Sequence, residues 1–179
     1  ILSRVQRINL PPIKDEDISE ALTTRFGCEP QIANDYARMA HGNFIEALKL
    51  INEDEERKFF FEKFCAMMRL SYARRLFDMK DWSDEMASLS REKLKAFLQY
   101  SQNLIRENFI MNIQNPELNY MNNDERQFST KFHLFVNEKN VEGIMEELAK
   151  AEKDIMQNVN EKMVFFDLSL KLIMLLKQQ

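Results

Sequence analysis

The sequence predicts an all-α protein, on three observations. Gly and Pro are scarce, three and four in 179 residues, and long runs hold neither, which favours helices over a sheet-rich fold. Apolar residues make up 45% of the chain and recur at helical spacing through most of it. Short polar clusters with capping residues separate those segments. The expected organisation has three parts: a leftover N-terminal strand segment at 1–12, a three-helix unit at 13–52, and a bundle of five to six helices at 53–179.

The opening run, with Val5, Ile8 and Leu10 alternating, reads as the last strand of a preceding domain, and Pro11-Pro12 break it. Asp15 or Asp17 caps a first helix carrying Ile18, Leu22 and Phe26, which Gly27 ends. Glu29 or Pro30 opens a second, with Ile32, Tyr36 and Met39 or Ala40 on one side, stopping near Gly42. A third presents Phe44, Leu48 and Ile51. Three helices of this size bury little alone and need a neighbouring surface.

The polar run Asn52 to Glu56 marks the expected boundary. A long helix over 57–77 follows, with a stripe of Phe61, Phe64, Cys65, Met68, Tyr72 and Leu76 widened by Phe60 and Met67. A short helix near 82–89 comes next. Ser90 then caps a helix to Asn112, with Leu94, Phe97, Leu98, Leu104, Ile105 and Phe109 in register. Asn115-Pro116 interrupt the pattern. A helix over 124–136 carries Phe128, Phe132 and Phe135, and Asn140 caps another with Ile144, Met145, Leu148 and Ile155 inward. After a turn at 158–160, the last helix, 161–177, is apolar almost all round, with Asp167 and Lys171 as its polar handle. Such a helix is central in a bundle or shared between subunits.

Composition excludes several functions. The net charge is −4, so the surface as a whole does not attract nucleic acid. Residues 57–80 are a local exception, with Arg57, Lys58, Lys63, Arg69, Arg74, Arg75 and Lys80. They form either a DNA-facing patch or a solvated face balanced by the acidic run Glu53-Asp54-Glu55-Glu56. Cys28 and Cys65 have no partners at metal spacing, so free thiols in a reducing cytoplasm are expected, with no metal. His41 and His133 are equally isolated, His41 preceding Gly42 where a cation offsets a helix C-terminus. No metalloprotease, nucleophile-elbow or phosphate-loop motif is present, so nothing supports catalysis in cis. The apolar stretch 164–176 is shorter than the ~20 residues a membrane span needs.

The chain opens Ile1-Leu2-Ser3-Arg4-Val5-Gln6, and the start on a strand-like run reads as a piece of something larger. An Arg near the end of a buried strand holds its guanidinium ready for a phosphate on another molecule. The alternative is a solvated Arg at a strand end. Ser-Arg-x-Gln, a strand, a Pro pair, a small three-helix unit and the Gly-x-x-x-x-Ala-Leu helix of Gly42 to Leu48 follow one another. That order resembles the end of an AAA+ ATPase module of the clamp-loader type, most of all the delta prime type of bacterial DNA polymerase III. The motif region covers about the first third of the chain; the rest resembles the family's collar domain by pattern.

The resemblance implies that Arg4, with Ser3, offers an arginine finger in trans to the ATP of a neighbouring subunit. Val5 stands where the family's Ser-Arg-Cys motif has Cys, and the finger role rests on the Arg. ATP-hydrolysing relatives carry a nucleotide-sensing Arg where this chain has Ile45. An apolar residue there implies no ATP bound by these residues and a non-catalytic subunit. The implied partners are gamma/tau and delta type subunits, with primed DNA and the sliding clamp reached through the assembled ring. The resemblance implies three-helix lid and collar roles for 13–52 and 53–179. Two other readings stay open: the lid and collar of a gamma/tau type motor that hydrolyses its own ATP, and a helical adaptor without ATPase history.

Overall fold

The structure, a computed structural model, describes residues 11–40, 42–112 and 121–178. Those residues are helical throughout, with no strand among them. The N-terminal segment with Ser3 and Arg4, His41 and the Asn115-Pro116 interruption lie outside the described residues. The chain divides into two compact units, Ile1–Lys58 and Phe59–Gln179.

In the first unit, α1 (Asp15–Phe26) pairs with α2 (Pro30–Met39), and the opening turns of α3 (Phe44–Ala73) complete the cluster. Ile18, Leu22, Ala33, Ala37, Ala40, Ala47 and Ile51 form its core. The residue capping α1 is Lys14, without a side-chain bond, so Asp15 and Asp17 are not caps. They lie in the first turn and offset the helix dipole there. Gly27 ends α1 in the left-handed conformation, as expected. Pro30 occupies the start of α2, where its missing N–H costs nothing.

The inward side of α2 departs from the expectation at Ile32, while Tyr36 packs against the core as expected. Ala33, Ala37 and Ala40 are buried, whereas Ile32 is exposed. Small side chains let α1 and α2 approach closely. Tyr36 also hydrogen-bonds Asp54. Burial, followed by the Asp54 charge and that bond, pushes its phenol up to about 12. Between α2 and α3, Gly42 adopts φ 78°, and a Cβ there would meet Pro12 Cβ at 2.5 Å. Its carbonyl accepts from Ile13 N at 3.1 Å, pinning residues 12–13 to the turn.

Helix α3 runs straight through the polar run 52–56. Glu is a good helix former, and Asp54 pairs with Lys58 one turn on at 2.8 Å. The helix then stops where the pattern predicts continuation. Arg74 takes φ 56°, its N–H bonds Ser71 O at 3.2 Å, and Arg75 N bonds Leu70 O at 3.1 Å. This is a Schellman ending with Arg where Gly is usual. Tyr72 and Leu76, expected in the buried stripe, are therefore exposed.

The second unit comprises the later turns of α3, then α4 (Leu76–Met86), α5 (Arg91–Asn112), α6 (Asn123–Phe132) with a 3-10 turn at His133–Phe135, α7 (Val141–Met156) and α8 (Glu161–Leu175). Helix α5 packs on α7, and α8 packs on both α4 and α7. Phe64, Phe97, Phe165, Met67, Met68, Leu94 and Leu98 are among the fully buried side chains at its centre. Each buried Phe or Leu contributes about 1.5–3 kcal/mol of hydrophobic free energy. Ser83, Ser101 and Ser169 are buried, and each donates to the carbonyl one turn back at 2.8 Å. Glu125 closes a capping box on Asn122 and accepts from Tyr100 Oη at 2.7 Å, fastening α6 to α5.

Candidate functional site

Two surfaces of the second unit carry apolar side chains outward. The first is α8. Its inner side buries Val164, Phe165, Leu168 and Leu172. Its outer side exposes Met163 at 70% and Met174 at 70%, with Leu170 at 36% between them. These residues recur at seven and four on one helical face. The last helix, apolar almost all round in sequence, thus buries one side and leaves the other exposed.

Ion pairs fix α8 in place at the edges of that face. Lys171 Nζ lies 2.8 Å from Glu147 Oε2 on α7 and 2.8 Å from Asp167 Oδ2. The hydrogen bonds it donates to Asp167 and then Glu147 hold its ammonium well above the usual lysine range. Lys162 reaches Asp84 on α4 at 2.9 Å, and Arg91 on α5 reaches Glu161 at 3.1 Å.

The second surface is an open groove of about 910 Å³ between α3 and α6. Phe61, Tyr72, Phe128 and Phe135 wall it, and Cys65 and Met68 lie at its base. Ring contacts bridge the two walls. Phe61 meets Phe128 at 5.8 Å between centroids, Phe64 meets Phe132 at 5.8 Å, and Tyr72 meets Phe135 at 4.9 Å. Burial pushes the Cys65 thiol up to about 11, with the Arg69 charge opposing.

The sequence-derived candidates are dispersed. Ile45 lies in the first turn of α3, 68% exposed, with its N–H held by Asn43 Oδ1 at 3.1 Å. The basic stretch 57–80 is largely neutralised by local acids. Lys58 pairs with Asp54, Lys63 with Glu85, Arg75 with Asp78 and Lys80 with Asp84. Arg69 lies over the Phe128 ring at 5.8 Å. Such pairing favours the solvated-face reading over a phosphate-binding patch.

Cys28 and Cys65 are free thiols. Among the described residues no group of three or more His, Cys, Asp or Glu could hold a metal ion. The His133 ring donates from Nδ1 to Ser129 O at 2.7 Å. No helix among the described residues is long and apolar enough to cross a membrane. The groove had no sequence signal of its own, because each of its aromatic walls reads as core periodicity. Comparison with family models, curated proteins and solved structures gives no match for this chain.

Proposed function

We propose that the chain is the lid and collar portion of a clamp-loader subunit of the delta prime type, acting in the cytoplasm in DNA replication. In this reading 13–52 is the lid, 53–179 joins the ring of gamma/tau and delta type subunits, and Arg4 serves a neighbour's ATP. The ring opens a sliding clamp and closes it on primed DNA. The observation that carries the reading is the outer face of α8, where Met163, Leu170 and Met174 stand exposed beside a fully packed inner side. A helix so built supports an assembly role over a self-contained one. The apolar Ile45 favours the non-hydrolysing subunit over the motor.

The test is assembly. The 179-residue chain, mixed with gamma/tau and delta type subunits, should co-elute as one complex. Met163→Lys with Met174→Lys should abolish that co-elution and leave the circular dichroism spectrum intact. No complex with the unaltered chain refutes the collar role. In the subunit carrying its ATPase domain, Arg4→Ala should preserve assembly and lower DNA-stimulated ATP turnover, by as much as the ~10³–10⁵ seen for such fingers elsewhere. Unchanged turnover refutes the finger.

A further inference from the structure

Helices α5 and α6 are joined by polar contacts at two levels. At one, Tyr100 Oη donates to Glu125 Oε1 at 2.7 Å. At the other, Asn112 Nδ2 donates to His133 O at 3.0 Å and to Val136 O at 2.6 Å. Residue numbers rise together across these contacts, so α5 and α6 run in the same direction. Asn108 falls between Tyr100 and Asn112, and Ser129 falls between Glu125 and His133. Steps of four residues turn a helix only slightly past a full circle. Each of the two therefore lies on the side that its flanking residues present to the other helix. Both are completely buried. Among the described residues, Asn108 Oδ1 and Ser129 Oγ make no hydrogen bond.

Ser129 departs from what the other buried serines of this unit do. Ser83, Ser101 and Ser169 each turn the hydroxyl back onto their own helix, and Ser129 does not. Asn108 donates its amide nitrogen to Leu104 O at 2.7 Å, which leaves its oxygen pointing away from that carbonyl. An unpaired buried amide oxygen or hydroxyl costs stability, so such groups in folded proteins are met by protein or by ordered water. The flanking contacts show the space between the helices. The short Asn112 reaches backbone carbonyls directly, whereas the Tyr100–Glu125 contact takes two long side chains. The helices thus splay from the Asn112 level toward the Tyr100 level, and the short side chains of Asn108 and Ser129 stand in that splay.

We propose that Asn108 Oδ1 and Ser129 Oγ together bind one internal water molecule, which joins α5 to α6 as a third rung between the two direct ones. The water donates to the amide oxygen and accepts from the serine hydroxyl, so both groups gain a bond. Both partners are neutral, which suits water rather than an ion. A buried water held in this way is part of the fold and is costly to remove. Helix α6 is one wall of the groove, and the rung fastens that wall to the bundle. It is independent of the α8 face and stands whether or not the chain joins a ring.

Oxygen-17 relaxation dispersion counts long-lived internal waters, and urea titration reads stability, both on the 179-residue chain. Ser129→Ala should remove one long-lived water and lower the urea midpoint. Alanine is the better helix former, so propensity alone moves the midpoint the other way. Asn108→Leu should lose the same water. The double variant should lose that one water only, and its midpoint should fall no further than the lower of the two single variants, because both changes break one bridge. Unchanged circular dichroism spectra confirm folding. Should Asn108→Leu not fold, the water count and midpoint of Ser129→Ala decide alone. Two unbridged atoms predict the opposite sign, since removing a hydroxyl that bonds to nothing raises the midpoint. A raised midpoint in Ser129→Ala, an unchanged water count, or losses that add in the double variant would each overturn the proposal.

Discussion

The side-chain amide of Asn140 donates from Nδ2 to the Phe135 carbonyl at 2.8 Å. The same nitrogen reaches Leu175 O at 3.2 Å, and Oδ1 accepts from Asn137 N at 2.9 Å. One fully buried residue thus ties the 3-10 turn, the start of α7 and the end of α8 together. Asn140→Ala leaves these buried groups without partners. It should destabilise the protein by about 2 kcal/mol, within the range for an orphaned buried polar group. Asn140→Asp should cost more, because its carboxylate would face the Phe135 and Leu175 carbonyls. Urea titrations monitored by circular dichroism measure both, and a wild-type midpoint for Asn140→Ala contradicts the assignment.

Phe165 on α8 is fully buried, with its ring 5.6 Å from Trp82 and 6.1 Å from Phe97. Phe165→Ala removes the piece common to three helices and leaves a cavity. A loss of about 3–5 kcal/mol follows from comparable truncations. The same titration reads it, and a loss under 1 kcal/mol would show that the site collapses around the gap.

The two thiols should differ in chemistry. Cys65 is 5% exposed, and burial raises its pKa from 9.0 to about 11. Cys28 is half-buried and is raised by burial and by Glu55. With a disulfide reagent at pH 8, Cys28 should react first, and Cys65 only as fast as its unit opens. The raised folded-state value means the contribution of Cys65 is complete below pH 9. It falls away as pH climbs towards 11, because the unfolded thiol ionises first. The thermal midpoint should therefore drop less between pH 9 and 11 in Cys65→Ala than in the unaltered protein.

Arg74 holds the left-handed position that ends α3, φ 56°. A side chain there costs about 1 kcal/mol relative to Gly, and its own exposure leaves no contact to lose. Arg74→Gly should raise the urea midpoint. A lowered midpoint would mean that the greater freedom of Gly in the unfolded chain outweighs the relieved strain.

Element existence was legible where capping chemistry and large apolar residues agree. Ser90, the expected cap, accepts from Lys93 N at 3.4 Å at the head of α5, and Asn160, in the turn expected before the last helix, accepts from Met163 N at 3.2 Å, whereas Asn140 precedes α7 without a side-chain cap bond. The all-helical class followed from the same agreement. The inward side of α2 was misread at Ile32, because alanine carries little hydrophobic contrast and the buried Ala33 and Ala37 do not stand out beside it. The break after Ala73 was invisible because its left-handed residue is Arg, and no composition rule marks it. Of the candidate surfaces, the apolar face of α8 was visible in its all-round hydrophobicity. The groove arises only when α3 and α6, distant in sequence, come side by side.

Trp82 is the protein's sole tryptophan, 5% exposed between Phe97 and Phe165. Its emission therefore reports on the second unit alone, while the first has only tyrosine, in Tyr36, among its described residues. Excitation at the red edge of indole absorption isolates the one signal, and the loss of helical ellipticity reports both. A melt in which the two traces separate would resolve two independently opening bodies joined through α3. A melt in which they coincide would show that they open as one.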